Sequence, residues 1–204
     1  MKVSIIIPCY NEEATIKDII NKINSQSSIE KEIIVVDDNS QDKTREILQK
    51  DLRSSIYKII LNDKNYGKGY SIRKGIENSS GECILIQDAD LEYDPSDYKK
   101  LLDPIFKNVA DVVYGSRFLG TSERRVLYFW HTVGNKLLTL FSNMCSNLNL
   151  TDMEVGYKVF RSNILKEIKL QEDRFGFEPE ITAKIAKKDI KIFEVGISYF
   201  GRKY

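Results

Sequence analysis

Asp88-Ala89-Asp90 stands one residue behind the apolar run Ile84-Leu85-Ile86. An Asp-x-Asp triplet alone fits a solvated acidic turn equally well. Directly behind a strand-like run, it reads as a pair of oxygen ligands for a hard cation. Mg²⁺ or Mn²⁺ commonly takes one or two carboxylates and completes its shell with phosphate oxygens, so the chemistry indicated is a cation bridging protein and diphosphate. Two other apolar runs also end in acids, in Pro8-Cys9-Tyr10-Asn11-Glu12 and Asp37-Asp38-Asn39-Ser40. Gathering like charges at one edge is unfavourable, because each raises the cost of ionising its neighbour. Something positive is expected to complete the site. A third run is followed by Asn65-Tyr66-Gly67-Lys68-Gly69, which opens a helical stretch. Its glycines would allow close backbone approach to a ligand, a helix N-terminus attracts anions, and Lys68 would add positive charge near a phosphate. The plain alternative is a glycine turn with an exposed lysine.

These residues need elements to hold them. Short β-branched runs alternate with stretches of helical period, the pattern of parallel strands joined by crossover helices. Strands are expected over 3–8, 32–36, 57–61, 83–87 and 111–114. Ile16, Ile19, Ile20 and Ile23 recur at i, i+3, i+4, i+7 and define a helix face that packs on the sheet. A second helix is expected behind Ser40 as N-cap, carrying Ile47, Leu48 and Leu52, with others over 67–77 and 96–106. After Tyr114 the pattern changes to a long helical stretch over 123–149, a strand over 157–160, a helix over 178–187 and a last strand over 192–199. The expected fold is a single α/β domain over 1–204, with a nucleotide-binding half over 1–120 and a second half over 121–204. In open sheets of this kind ligands bind outside the carboxyl ends of the strands, where the acidic motifs fall.

Composition narrows the partners. Thirty-one Lys and Arg against 30 Asp and Glu give a net charge of +1, which removes the global electrostatic argument for nucleic acid. Cys9, Cys83 and Cys145 lie far apart, without metal-type spacing, and read as buried reduced thiols in a cytoplasmic protein. No apolar segment approaches the ~20 residues needed to cross a bilayer, so the chain is expected to be soluble or peripheral to a membrane.

Taken in order, these motifs resemble family 2 glycosyltransferases of the GT-A fold, and within them the dolichyl- or polyprenyl-phosphate mannosyltransferase-like branch. The resemblance covers nearly the whole chain. It extends through Gly115-Ser116-Arg117, the segment from Asn147 to Glu154, Gly156-Tyr157-Lys158-Val159-Phe160, and Phe175-Gly176-Phe177-Glu178-Pro179-Glu180. It implies a Rossmann-like, mostly parallel sheet flanked by helices. The implied donor is a nucleotide-diphosphate sugar, GDP-mannose or a UDP-hexose. Pro8, Tyr10, Glu12, Asp38 and Lys68 match the family's nucleotide contacts, and Asp88, Ala89 and Asp90 its metal and diphosphate site. The family motif continues Asp-Ala-Asp-Leu-Gln; here the last position is Glu92, a further candidate metal ligand.

The resemblance also implies inverting transfer to a polyprenyl phosphate. Such an acceptor is already ionised near neutral pH, so it needs positive charge to position it rather than a general base. Arg117 is the expected residue, with Arg125, Lys158 and Arg202 as further candidates. Arg202 lies in a segment that in the family continues into an acceptor loop. Glu178 and Glu180 are either first-turn acids favoured by a helix dipole or site residues near sugar or acceptor. Two alternatives stand beside this reading: transfer to a saccharide or protein hydroxyl, with Glu178 or Glu180 as base, and nucleotide binding without turnover.

Val126, Trp130, Val133, Leu137, Leu140, Met144 and Leu148, broadened by Phe129 and Phe141, form one helical stripe. Either it faces the core, or it lies against the inner face of a membrane with Arg124 and Arg125 near anionic headgroups. His131 on the same helix is expected to be a satisfied structural residue.

Overall fold

The computed structural model describes residues 1–120, 125, 126 and 128–201. Strands β1 (Val3–Cys9), β2 (Lys31–Asp37), β3 (Lys58–Leu61), β4 (Cys83–Ile86), β5 (Val112–Ser116), β6 (Lys158–Arg161) and β7 (Ile192–Gly196) form one sheet in the order β3-β2-β1-β4-β6-β5-β7. All neighbouring pairs are parallel except those of β6, which runs antiparallel between β4 and β5. The central strands are unbroken runs of Ile, Val and Leu because helices cover both faces, as a parallel sheet requires. The chain is α/β, with a mostly parallel seven-stranded sheet flanked by helices, as expected.

Helix α1 (Ile16–Ser25) buries Ile16, Ile19, Ile20 and Ile23 completely, each contributing about 1.5–3 kcal/mol relative to exposure. Helix α2 (Thr44–Glu46), continued by a π-helical turn Ile47–Asp51, begins later than expected. Ser40 does not cap it. The Ser40 hydroxyl accepts the Asn11 amide at 2.9 Å, tying the ends of β1 and β2 together, and Asp42 Oδ1 accepts the Thr44 amide. Helices α3 (Lys68–Glu77) and α4 (Tyr98–Phe106) follow β3 and β4; before α4, Asp94 Oδ1 accepts the Ser96 amide as the cap of a short 3₁₀ turn. Helix α6 (Ser162–Lys166) is short, and α7 (Phe177–Ile185) ends before β7.

Helix α5 (Phe129–Ser146) departs from the core-facing alternative. Its buried residues are Asn135 and Thr139, while Trp130 is 78% exposed and Leu137, Leu140, Phe141 and Met144 are exposed too. The inward face is polar because it has hydrogen bonds to make. Asn135 Oδ1 accepts from Arg117, Thr139 Oγ1 accepts the Met153 amide, and Asn143 exchanges hydrogen bonds with the backbone of Leu150. His131 is exposed rather than enclosed, with Nδ1 3.4 Å from Asn135 Nδ2. Cys9 and Cys83 are buried thiols, and Cys145 is exposed, contrary to its expected burial.

Candidate active site

The carboxyl ends of β1, β2 and β4 open on one cleft of about 730 Å³. Pro8, Tyr10, Glu12, Asp38, Lys68, Asp88, Ala89, Asp90 and Glu92 all line it, joined by Cys9, Asn65, Gly67, Ser71, Arg174 and Phe175. The last two come from the loop before α7, outside the half that the sequence assigns to the nucleotide. Buried Gln87 fixes the turn into the triplet: its Oε1 accepts from Tyr98 at 2.7 Å and Tyr157 at 2.6 Å. Leu91 then takes φ 63°, a conformation uncommon for a bulky residue and a form of strain that collects at functional turns.

Each acid at the edge has a distinct occupation. Asp38 Oδ1 accepts from Asn62 Nδ2 and the Tyr66 amide, and Oδ2 accepts the Gly67 amide at 2.6 Å, so this carboxylate organises the loop entering α3. Lys68 Nζ sits 2.9 Å from Asp88 Oδ1 and 3.0 Å from Glu178 Oε1. Burial alone would lower the Lys68 pKa, but the charges of Asp88 and Glu178 hold it above its ordinary value. A Cβ on Gly156 would meet Asp88 Oδ2 at 2.2 Å, so that glycine leaves room for the aspartate. Asp90 Oδ1 accepts the Glu92 amide at 3.1 Å, and Glu92 Oε2 accepts from Tyr199 at 2.9 Å.

The glycines of Gly67-Lys68-Gly69 serve the protein rather than a ligand. A Cβ on Gly69 would lie 2.2 Å from the Glu172 carbonyl, and Gly67, at φ 111°, is pressed against Asp173 and Arg174. The amides of Gly69 and Tyr70 donate to the carbonyls of Arg174 (3.3 Å) and Asp173 (3.0 Å). The Gly69 and Tyr70 amides on the first turn of α3, expected to face an anion, are thus already paired with the 172–174 loop, while Gly67 and Lys68 line the cleft.

A second cavity, of about 220 Å³, is lined by Arg117, Phe118, Arg125, Val126, Thr132, Lys136 and Tyr199. Arg117 is bidentate to Asp152, with Nε and Nη2 each 2.7 Å from a carboxylate oxygen, and its guanidinium lies 5.4 Å from the Tyr199 ring centroid. Burial would lower its pKa, and the Asp152 hydrogen bonds more than offset that. Arg125 donates to the Gly201 carbonyl. Tyr199 borders this cavity while bonding to Glu92 of the larger one, so one hydrogen bond links the two.

Two candidates move elsewhere. Lys158 is fully buried and donates to the carbonyls of Met153 and Val155; burial pulls its pKa down to about 8. It braces the loop beside the cavities and cannot reach an acceptor. Glu180 accepts the amides of Gln171 and Glu172 and pairs with Lys184, which makes it an anchor of the loop before α7. Arg124 and Arg202 lie outside the described residues. Asp152, Glu154 and Phe175 lie in segments that carry the resemblance but have no role assigned from sequence, and Tyr199 and Arg174 have none either. Glu154 is half-buried, and its carboxyl pKa is raised by burial and then by the charge of Glu178.

Among the described residues no group of three or more acidic, His or Cys side chains is arranged to hold a metal by itself. Asp88 and Asp90 nevertheless fit a divalent cation of the kind that takes two carboxylates and leaves its remaining positions to phosphate oxygens and water. They are hard oxygen donors on a cleft wall, two residues apart on a strained turn.

A sequence model of the family described as Glycosyl transferase family 2 matches residues 4–169. Dolichol-phosphate mannosyltransferase from Pyrococcus furiosus is 29% identical over 98% of this chain and 56% of its own length. Undecaprenyl-phosphate 4-deoxy-4-formamido-L-arabinose transferase from Aeromonas hydrophila is 27% identical over 95% of the chain and 59% of its own length. The chain thus spans little more than half of either relative. Glucosyl-3-phosphoglycerate synthase from Mycobacterium tuberculosis, solved with Mn²⁺, UDP and glucosyl-3-phosphoglycerate, superposes with a TM-score of 0.74 at 18% identity. That match covers 99% of this chain and 73% of the synthase and shows a shared fold.

Proposed function

Because the chain belongs to glycosyl transferase family 2 and is a glycosyltransferase, we propose that it moves a hexose, with inversion, from a GDP- or UDP-sugar to a polyprenyl phosphate. The observation that carries the reading is the pairing of two cavities of opposite character. One is acidic and large enough for a nucleotide sugar; the other brings Arg117, Arg125 and Lys136 together with Phe118 and Val126. A phosphate on an apolar tail has the chemistry of the second. The names of the two curated relatives, which act on dolichol and undecaprenyl phosphates, support the same acceptor class.

Asp88 and Asp90 would hold Mg²⁺ or Mn²⁺, which when bound neutralises charge on the donor diphosphate. Asp38 keeps the 62–67 loop in place along the nucleotide. Arg117, oriented by Asp152 and Asn135, positions the acceptor phosphate. An acceptor oxygen attacks the anomeric carbon, the bond to the donor β-phosphate breaks, and the nucleoside diphosphate leaves with the electron pair. No side chain need remove a proton. A hydroxyl acceptor would need a base, and both candidates for it, Glu178 and Glu180, are ion-paired with Lys68 and Lys184.

A screen of nucleotide sugars with Mn²⁺ or Mg²⁺ and a short-chain polyprenyl phosphate is expected to yield lipid-linked sugar with one GDP- or UDP-hexose. Turnover of a saccharide acceptor with the lipid phosphate ignored would replace this reading.

Thr132 and Lys136 of α5, with Val126 just before the helix, line the second cavity, which fits a peripheral position on the inner face of the membrane. No described helix is long and apolar enough to cross a bilayer. Trp130, the single tryptophan, is exposed on α5 and reports on contact directly. Its emission is expected to shift to shorter wavelength with vesicles containing anionic lipid; emission unchanged by any vesicle would remove the membrane from the reading.

A further inference from the structure

We infer that Arg174, on the loop between α6 and α7, is the side chain that recognises the diphosphate of the nucleotide ligand; the inference rests on the donor reading above. Two cations line the large cleft, Lys68 and Arg174, against Glu12, Asp38, Asp88, Asp90 and Glu92. Lys68 is already held between Asp88 and Glu178. The Arg174 side chain has no hydrogen bond or ion pair among the described residues. An anion entering this acidic cleft meets strong repulsion, and the guanidinium is the positive group on its wall that no carboxylate among the described residues neutralises.

The loop that carries Arg174 is held in place from several sides. Glu180 accepts the amides of Gln171 and Glu172 at 2.8 and 2.9 Å. The Arg73 guanidinium donates to the Glu172 carbonyl and pairs with Asp173. The carbonyls of Asp173 and Arg174 accept the Tyr70 and Gly69 amides in the first turn of α3. A Cβ on Gly67 would meet Arg174 Cγ at 2.8 Å, so the stem of the arginine runs across a glycine that has no side chain to deflect it. Arg174 thus has a fixed base and an uncommitted head, the arrangement suited to the forked hydrogen bonding of a guanidinium to phosphate. The loop takes the Gly69 and Tyr70 amides of the helix terminus and brings Arg174 to the wall of the same cleft.

Calorimetric titration with GDP, UDP and the two nucleoside monophosphates, in Mn²⁺, tests this. Wild-type protein is expected to bind one diphosphate more tightly than its monophosphate. Arg174→Ala should weaken the diphosphate by about ten- to a hundredfold, the range for losing a hydrogen bond to a charged group, and change the monophosphate less than about twofold. Arg174→Lys should recover part of the loss. The residue is exposed, so an unchanged melting temperature is expected to show that the fold is intact. Diphosphate affinity equal to wild type in Arg174→Ala, or equal losses on both ligands, overturns the inference alone. A wild-type protein that binds neither diphosphate overturns the donor reading, and the inference with it.

Discussion

Asp90→Ala is expected to abolish the metal-dependent part of donor binding and to cut transfer by about a thousandfold. Asp90 is half-buried on the cleft wall, on the turn that forces Leu91 to φ 63°, and among side-chain contacts its Oδ1 accepts the Glu92 amide. It contributes little packing, so the variant should fold. On the proposed reading it removes one of two hard ligands for a cation, whose charge on a diphosphate is worth several kcal/mol in the transition state, each ~1.4 kcal/mol being tenfold in rate. Nucleoside-diphosphate affinity measured with and without Mn²⁺ is the discriminating experiment. Wild type should gain from the metal and the variant should not. A variant that binds the diphosphate as tightly as wild type, with the same gain from Mn²⁺, rules Asp90 out as a ligand.

The largest expected effect on stability comes from the other cavity. Asp152 is fully buried, and Arg117 is 6% exposed. Asp152→Ala strands the guanidinium without its carboxylate, which costs about 3–5 kcal/mol. For a chain of this size that lowers the melting temperature by about 10 °C. Replacing both partners, as Arg117→Met with Asp152→Leu, removes the uncompensated charge and should restore most of the stability. The double variant separates structure from function: it should melt near wild type and bind donor normally, yet fail to use a lipid phosphate. Transfer by that variant at the wild-type rate would take Arg117 out of the acceptor site. Melting of Asp152→Ala at the wild-type temperature would show that the pair contributes nothing to the fold.

The sheet and the donor cleft were legible because their signals are local. Apolar runs buried on both faces mark their own strands, and the acids behind them mark the carboxyl edge. Glu12, Asp38, Asp88 and Asp90, which share one cleft, are thus gathered by sequence alone. What failed depended on partners distant in sequence. Lys158 looks like an available cation until the carbonyls of Met153 and Val155 are seen around it. Gly67 and Gly69 look like a phosphate loop until residues 172–174 occupy the space. Arg174 carried no signal, because a lone arginine in a loop is unremarkable until that loop is placed over the cleft. Helix α5 misleads for another reason: periodicity reveals that a helix has two faces and is silent on which one turns inward.

The orientation of α5 makes the enzyme's outer surface a separable part of its design. Asn135, Thr139 and Asn143 are fixed by the groups they bond, whereas Trp130, Leu137, Phe141 and Met144 turn much of their surface to solvent. If the membrane and lipid-phosphate reading proposed above holds, recoding those four positions with lysine and glutamate is expected to abolish vesicle binding without changing how the protein folds. The recoded protein would then be a freely diffusing catalyst for water-soluble, short-chain acceptors, with a long-chain acceptor left behind in its vesicle.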